Sequence, residues 1–327
     1  MLYHRLSRKI LTGICAALVV GTGAAQAAYP DRPVTIVVNF PPGGPLDLVA
    51  RIIGAEAGKD LKQPVVVENK AGASGTIGAE NVARSKPDGY TLLLSVDTLA
   101  TVNPFVYKSN GFDANKALAP ISRAGSFNQV LVAKPDLGVK SLDDFVKLAN
   151  KQNLTYASAG VASPGHLTME AFRLASHAPL THIPYKGNAP ATSDLLGGQV
   201  DAGFLVIAGV IQHINNKKLI PLAVSGKERD SLLPNTPTIA ESGIPGLENF
   251  DVGFGYVMMA PKDTPQEIIN QWSALIAKIF KEPAVLEKLK ALNIVPTHGT
   301  PEQTKAFLQE TAKQWEAVVK KANITID

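Results

Sequence analysis

Cysteine is almost missing from this chain: its 327 residues hold one, Cys15. A single cysteine forms no intramolecular disulfide and no thiolate metal centre. Neither sign of charge dominates, with 32 Lys and Arg against 28 Asp and Glu. That balance supplies no cationic field for nucleic acid. Past residue 30 no apolar run reaches the ~18 residues of a membrane span. The G-x-S-x-G elbow, the Walker A sequence and the H-E-x-x-H pair are all absent. The six histidines form no short ligand pair with neighbouring carboxylates, so no metal is expected. Gly and Pro, at 27 and 23, are too few and too aperiodic for collagen, and 45% hydrophobic residues exclude a disordered chain.

What is present begins with an export leader. His4, Arg5, Arg8 and Lys9 make a positive start, residues 10–20 an apolar core, and Ala25-Gln26-Ala27 a small-x-small cleavage site. Cleavage is expected after Ala27. It would remove Cys15 and three of the basic residues, leaving a cysteine-free chain near neutrality. That composition suits a periplasm, where a large core makes disulfides unnecessary.

Strands and helices then alternate. Residues 34–40 are a continuous β-branched run, residues 64–68 and 91–95 read as further strands, and residues 45–58 and 76–84 as helices. This βαβαβ order predicts an α/β chain with covered parallel sheets. The rhythm resumes with strands at 130–133, 154–157, 181–184, 200–206 and 219–224. Helices are expected at 141–150, 164–176 and 189–196. A strand at 254–260 and two amphipathic helices, marked by Trp272 and Trp315, close the chain. No internal sequence repeat is evident. No low-complexity linker separates two halves, so a discontinuous arrangement is expected. The chain would leave one domain near residues 123–129 and re-enter near 251–255, and two crossing strands make a hinge.

Residues 72–78 (GASGTIG) form a glycine-rich turn with Asp97 after the next strand. An exported nucleotide-dependent enzyme would use such a loop for a dinucleotide. The segment follows the second strand rather than the first, and no Tyr-x-x-x-Lys pair accompanies it. A turn permitting close backbone approach is the preferred reading, and no cofactor is expected.

Two other loops carry more. In residues 40–47 (FPPGGPLD), Pro45 suits the first helical position and Gly43 and Gly44 leave backbone N–H groups uncovered. In residues 158–166 (SAGVASPGH), Ser163 reads as an N-cap with Pro164 behind it. Free amides and a helix dipole make each terminus an anion site. Two such termini facing each other across a hinge would hold a carboxylate.

These residues, with residues 65–75 (VVVENKAGASG), Pro87-Asp88-Gly89-Tyr90, residues 156–159 (YASA), Pro184-Tyr185-Lys186-Gly187 and residues 194–200 (DLLGGQV), resemble the Bug family. These are the extracytoplasmic solute receptors of tripartite tricarboxylate transporters, and the likeness runs from about Tyr29 to the C-terminus. It implies a two-domain periplasmic binding protein fold (type II-like), with two parallel or mixed sheets joined by a two-strand hinge and closing as a flytrap. The leader would be 1–27, the first domain 28–126 with 250–327, and the second 127–249. The implied role is a monomeric periplasmic receptor that passes a small carboxylate to membrane permease subunits, with no catalysis and no nucleic acid.

Candidate ligand contacts are Phe40, Gly43, Gly44, Leu46, Asp47, Ser95, Thr98, Ser158, Gly160, Val161, Ser163, His166 and Leu205. Several have a second reading. Asp47 either meets a ligand donor or binds its own loop amides, and His166 either touches ligand or is satisfied within its first turn. Phe40 packs on the ligand or ends the core strand. Lys186 reads as a solvated surface cation. The family often has Ser or Thr at Leu46 and Asp-Asn at Leu205-Val206, so both departures point to a carboxylate with an apolar or aromatic body. Alternatively, both leucines face their own cores.

Overall fold

The computed structural model describes residues 29–107 and 112–326. The leader, Cys15 and the cleavage site lie outside the described residues.

The first sheet uses β1 (Val34–Val38), β2 (Val65–Asn69), β3 (Thr91–Val96), β4 (Leu118–Phe127) and, from far along the chain, β10 (Phe254–Pro261), in the order β2-β1-β3-β10-β4. The second uses β5 (Gln129–Ala133), β6 (Leu154–Ser158), β7 (Leu180–Pro184), β8 (Ala202–Val206) and β9 (Ile220–Val224), in the order β7-β6-β8-β5-β9. Both sheets are mixed. β1 pairs parallel with β2 and β3, while β10 runs antiparallel to β3 and β4. β6 pairs parallel with β7 and β8, while β5 runs antiparallel to β8 and β9.

The reversed strand in each sheet is the one that enters from the other lobe, and the reason is directional. Within each sheet, crossover connections keep β1 parallel to β3 and β6 parallel to β8, so in each lobe the carboxyl ends gather on one side. A strand crossing between lobes enters from that side and must run the opposite way. The crossings are Asn128, between β4 and β5, and the stretch leading from β9 back to β10. There the Gln129 N–H donates to Ser225 Oγ at 3.0 Å, and the Ser225 hydroxyl donates to Val252 O at 2.7 Å. The sheet order therefore repeats although no sequence repeat is evident.

Helices cover both sheets. In the first lobe α1 (Pro45–Leu61) and α2 (Thr76–Ala83) follow β1 and β2. In the second, α3 (Leu142–Ala149) precedes β6, and α4 (Pro164–Ser176), α5 (Asn188–Leu196) and α6 (Ile207–Asn215) follow β6, β7 and β8. The tail adds α7 (Gln266–Ile279), α8 (Pro283–Ala291) and α9 (Pro301–Ala322). Ser141 caps α3 by accepting from the Asp144 N–H at 3.1 Å, and Thr300 with Gln303 forms a capping box on α9.

Strand alternation divides the second lobe's core into two layers. Leu131, Phe145, Tyr156, Phe172 and Phe204 pack on one face, and Val130, Val132, Ala157, Leu195 and Leu205 on the other. In the first lobe Val37, Leu93, Val257 and Met259 meet Val82 of α2 and Leu308 of α9.

Among the described elements longer than one turn, three were not legible in the sequence. β4 carries Pro120, Arg123 and Gly125 and pairs with β10 through two register shifts, which breaks the alternating pattern. α6 begins directly after β8, with Val206 as its N-cap and no side chain capping it, so no punctuating residue announces it. α8 is short and follows α7 closely.

Candidate functional site

A cavity of about 270 Å³ lies between the lobes. Its first lip is the β1–α1 loop, Phe40 to Leu46. Its second comprises Ala159, Pro164 and Gly165 at the start of α4 with Lys186, Gly187, Asn188, Ala189 and Pro190 before and in α5. Val96, Phe127, Gln129, Val206 and Tyr256, from strands that end or begin at the hinge, form the floor. The lining is mostly apolar, and among the described residues Lys186 is its only charged one.

The first lip is held by charge. The Asp47 carboxylate accepts from Gly43 N, from Arg51 Nε and Nη2 and from Asn69 Nδ2, each at 3.0 Å. Asn69 Nδ2 also donates to Phe40 O at 3.1 Å. Burial pulls the Asp47 carboxyl upward, but its bonds to Arg51, Gly43 and Asn69 outweigh that and hold it below the usual carboxylate value. Asp47 is therefore a clamp on the loop and does not line the cavity. It also occupies the Gly43 N–H, which the sequence left uncovered. The Gly44 N–H meets no acceptor among the described residues. Gly44 is the N-cap of α1 in extended backbone with Pro45 next, so the first-turn amides that remain point from an uncapped helix end.

The second lip is held by neutral rings. Ser158 Oγ accepts from Gly160 N at 3.1 Å and lies 2.7 Å from His182 Nε2. His166 Nδ1 accepts from the Ala162 N–H at 3.0 Å. The His166 and His182 rings stack at 3.9 Å and 9°, with Tyr156 beyond at 4.8 Å from His182. Burial, aided by the Arg173 charge, holds His166 down to about 4. Burial and then His166 hold His182 down to about 3. Both rings are neutral at pH 7, and for His166 the Ala162 bond to the Nδ1 lone pair requires it.

The second helix terminus is partly covered. The Gln129 carboxamide is fully satisfied when its oxygen accepts from Gly165 N at 3.1 Å and its nitrogen donates to Pro164 O at 3.2 Å and Thr168 Oγ1 at 2.9 Å. Gln129 thus covers the α4 amide that the sequence assigned to an anion. Ser163 is the N-cap residue by backbone, but its hydroxyl caps nothing and is buried without a partner.

The cavity gathers Phe40, Gly43, Gly44 and Leu46 from the sequence candidates. Ser158, Gly160, Val161, Ser163 and His166 shape the second lip from behind it. Ser95 is fully buried, accepting from Asn39 Nδ2 at 2.9 Å, and Thr98 is buried in a single-turn helix. Val96, between them, reaches the cavity instead. Leu205 faces the second lobe's core and is 1% exposed. A strand turns successive side chains to opposite sides, so Val206 takes the cavity position. Of the two leucines expected on the cavity, Leu46 lines it and Leu205 does not, Val206 taking its place. Lys186, read as a solvated cation, is exposed but lines the cavity. Gln129, Phe127 and Tyr256 carried no sequence signal beyond sitting near the expected crossings.

The glycines of residues 72–78 serve packing. A Cβ on Gly75 would lie 2.3 Å from Asn39 Nδ2, and one on Gly78 2.7 Å from Lys70 O. The loop packs against the carboxyl ends of β1 and β2.

Two mixed sheets, a doubly crossed hinge and an apolar cavity between lobes define a solute-binding receptor of the two-domain periplasmic type. A family model described as tripartite tricarboxylate transporter family receptor matches residues 49–324. The chain belongs to that family. It is 37% identical over 295 residues to Protein BugT of Bordetella pertussis, covering 89% of this chain and 90% of BugT. The structure of R. palustris Rpa4515 with adipate superposes with a TM-score of 0.86 at 30% identity, covering 91% of this chain and 99% of that one. The periplasmic binding protein BugD gives 0.82 at 34% identity, covering 91% and 99%. The family is one of receptors and not of enzymes, which sets aside the nucleotide-dependent alternative.

Proposed function

We propose that this chain is an exported receptor that traps a small carboxylate with an apolar body and hands it to the membrane permease of a tripartite transporter. The observation that carries the reading is the cavity lining. Phe40, Leu46, Val96, Phe127 and Val206 supply apolar surface, while the Gly44 amide at the α1 terminus and the Lys186 ammonium supply charge recognition at the lips. Roughly 80 Å² of ligand apolar area buried there contributes about 2 kcal/mol at ~25 cal/mol per Å². The hydroxyl and third carboxylate of a citrate-like ligand would exceed the charge recognition at the two lips and go unpaired, at about 1–3 kcal/mol each. Adipate, the ligand named with Rpa4515, has such an apolar middle.

The domains are read as 28–126 with 250–327 and 127–249, closing on the ligand as a monomer in the periplasm after cleavage behind Ala27. Calorimetry against benzoate-type acids, adipate, short dicarboxylates, citrate and acidic amino acids tests the ligand class. Binding of an aromatic or medium-chain acid is expected. Tight binding of citrate or glutamate alone would overturn the apolar-body reading and leave a carboxylate receptor.

A further inference from the structure

The lobes touch directly at a place that does not line the cavity. Ser74, in the loop after β2, donates its hydroxyl to Val161 O of the opposite lobe at 3.0 Å. Both ends of this bond sit on tightly held backbone. Gly72, Ala73, Ser74 and Gly75 all take positive φ, at 136°, 46°, 49° and 89°. Non-glycine residues adopt that conformation when surrounding contacts impose it. Here Tyr107 OH donates to Ala73 O at 2.7 Å, and Asn39 Nδ2 donates to Gly75 O at 3.0 Å. Across the gap Ala162, next to Val161, also has positive φ, at 59°, and its N–H is held by His166 Nδ1. A short side chain on one fixed loop thus meets a carbonyl on another.

We propose that Ser74 is a positioning residue for solute binding: its hydroxyl latches the two lobes together through Val161 and sets the balance between closed and open receptor without touching the solute. The inference rests on the receptor reading only in that the lobes open and close. Because the latch is separate from the cavity, it acts in the ligand-free protein. Losing one partly buried neutral hydrogen bond lowers the closed-to-open ratio about two- to tenfold. Any acid that binds the closed form then loses affinity by up to the same factor, chiefly through faster release.

The test uses small-angle scattering of the purified exported protein without ligand, with circular dichroism confirming that each variant is folded. Ser74→Ala keeps a side chain on the left-handed backbone and removes the hydroxyl. Ser74→Gly removes the hydroxyl and relaxes the backbone. Both variants are expected to show a larger radius of gyration than the unaltered protein. One radius shared by all three proteins overturns the latch. So does a wild-type radius in Ser74→Gly with expansion in Ser74→Ala alone, since backbone strain rather than the hydroxyl would then be responsible. No acid is added, so failure of the carboxylate reading in calorimetry leaves this result independent.

Discussion

The two lips of the cavity look alike in sequence and are built differently. Each is a small-residue loop ending in a proline at the first turn of a helix. Asp47 holds the first with a carboxylate that gathers a backbone amide, a guanidinium and a carboxamide. The second is held by Ser158 and a stacked pair of uncharged histidines. The loop motif specifies where the chain turns, and the groups behind the loop decide whether its amides stay free. The first lip keeps Gly44 available, whereas Gln129 occupies Gly165 in the second and Lys186 provides the charge there.

Removing the charged clamp should give the largest effect. Asp47→Ala leaves the Gly43 amide unpaired and costs Asn69 one of its two donated bonds, while half-exposed Arg51 recovers solvent. Urea unfolding should show a loss of about 2–3 kcal/mol. A loss below about 0.5 kcal/mol would mean that the loop holds itself. The folded value of this carboxyl is depressed, so its stabilisation is present above about pH 4 and fades as pH falls through the folded value.

The glycines of the two lips should separate next. A Cβ on Gly165 would stand 2.4 Å from Phe204 O, whereas one on Gly44 finds nothing nearer than Pro41 O at 3.8 Å. Gly165→Ala should cost about 1–3 kcal/mol by overpacking. Gly44→Ala should stay within about 0.5 kcal/mol in stability. Gly44→Val should instead block approach to the free amide and lower affinity at least tenfold, about 1.4 kcal/mol. Equal melting temperatures for Gly165→Ala and Gly44→Ala would erase the distinction.

Acid should act on the second lip. His166 and His182 sit at about 4 and about 3 when folded, under the ~6.5 of an unfolded histidine. The unfolded chain therefore takes up protons first, and stability falls from about pH 6.5 downward. Asp97 opposes this in the first lobe. Its carboxyl accepts from Gly255 N at 2.7 Å and is pushed up to about 7 by burial. The folded chain therefore protonates it first, adding stability between about pH 7 and 4. Urea midpoints at pH 7.5 and 5 should show a steeper acid loss in Asp97→Asn than in the unaltered protein, by about 1–2 kcal/mol. Matching slopes would remove Asp97 from the account. His166→Gln should flatten the fall.

The smallest expected change is in Lys186. The ammonium is exposed and screened, so Lys186→Ala should weaken acid binding about threefold, near 0.7 kcal/mol. If it weakens binding more than Gly44→Val does, the first lip's amide is not the main anion contact.

Much of this organisation was readable from residues. The β1 and β3 strands are mostly apolar runs, and Pro45 and Pro164 mark the helix starts found in the structure, so the loops before both helices could be located along the chain. Two limits recur in physical terms. Which side of a strand faces the cavity turns on register, as Leu205 and Val206 show, and a one-residue choice reverses it. Which backbone amides remain free depends on partners distant in sequence, as with Gln129 and Gly165. The β4 strand was hidden because its regularity comes from pairing with β10 rather than from its own pattern.

The strands that cross between lobes lie inside the sheets, not at their edges: β10 between β3 and β4, β5 between β8 and β9. This sets an order of assembly. Every strand of the second sheet comes from residues 129–224, so that lobe can complete itself as soon as its own stretch has been released during export. The first sheet lacks its inner strand until Phe254 to Pro261 arrive. An N-terminal lobe emerging first must therefore wait, with β3 and β4 unjoined, for nearly the whole chain. Slow, non-local closure of this kind exposes apolar strand faces to aggregation. It makes the interval between translocation and arrival of β10 the vulnerable stage in the life of this receptor.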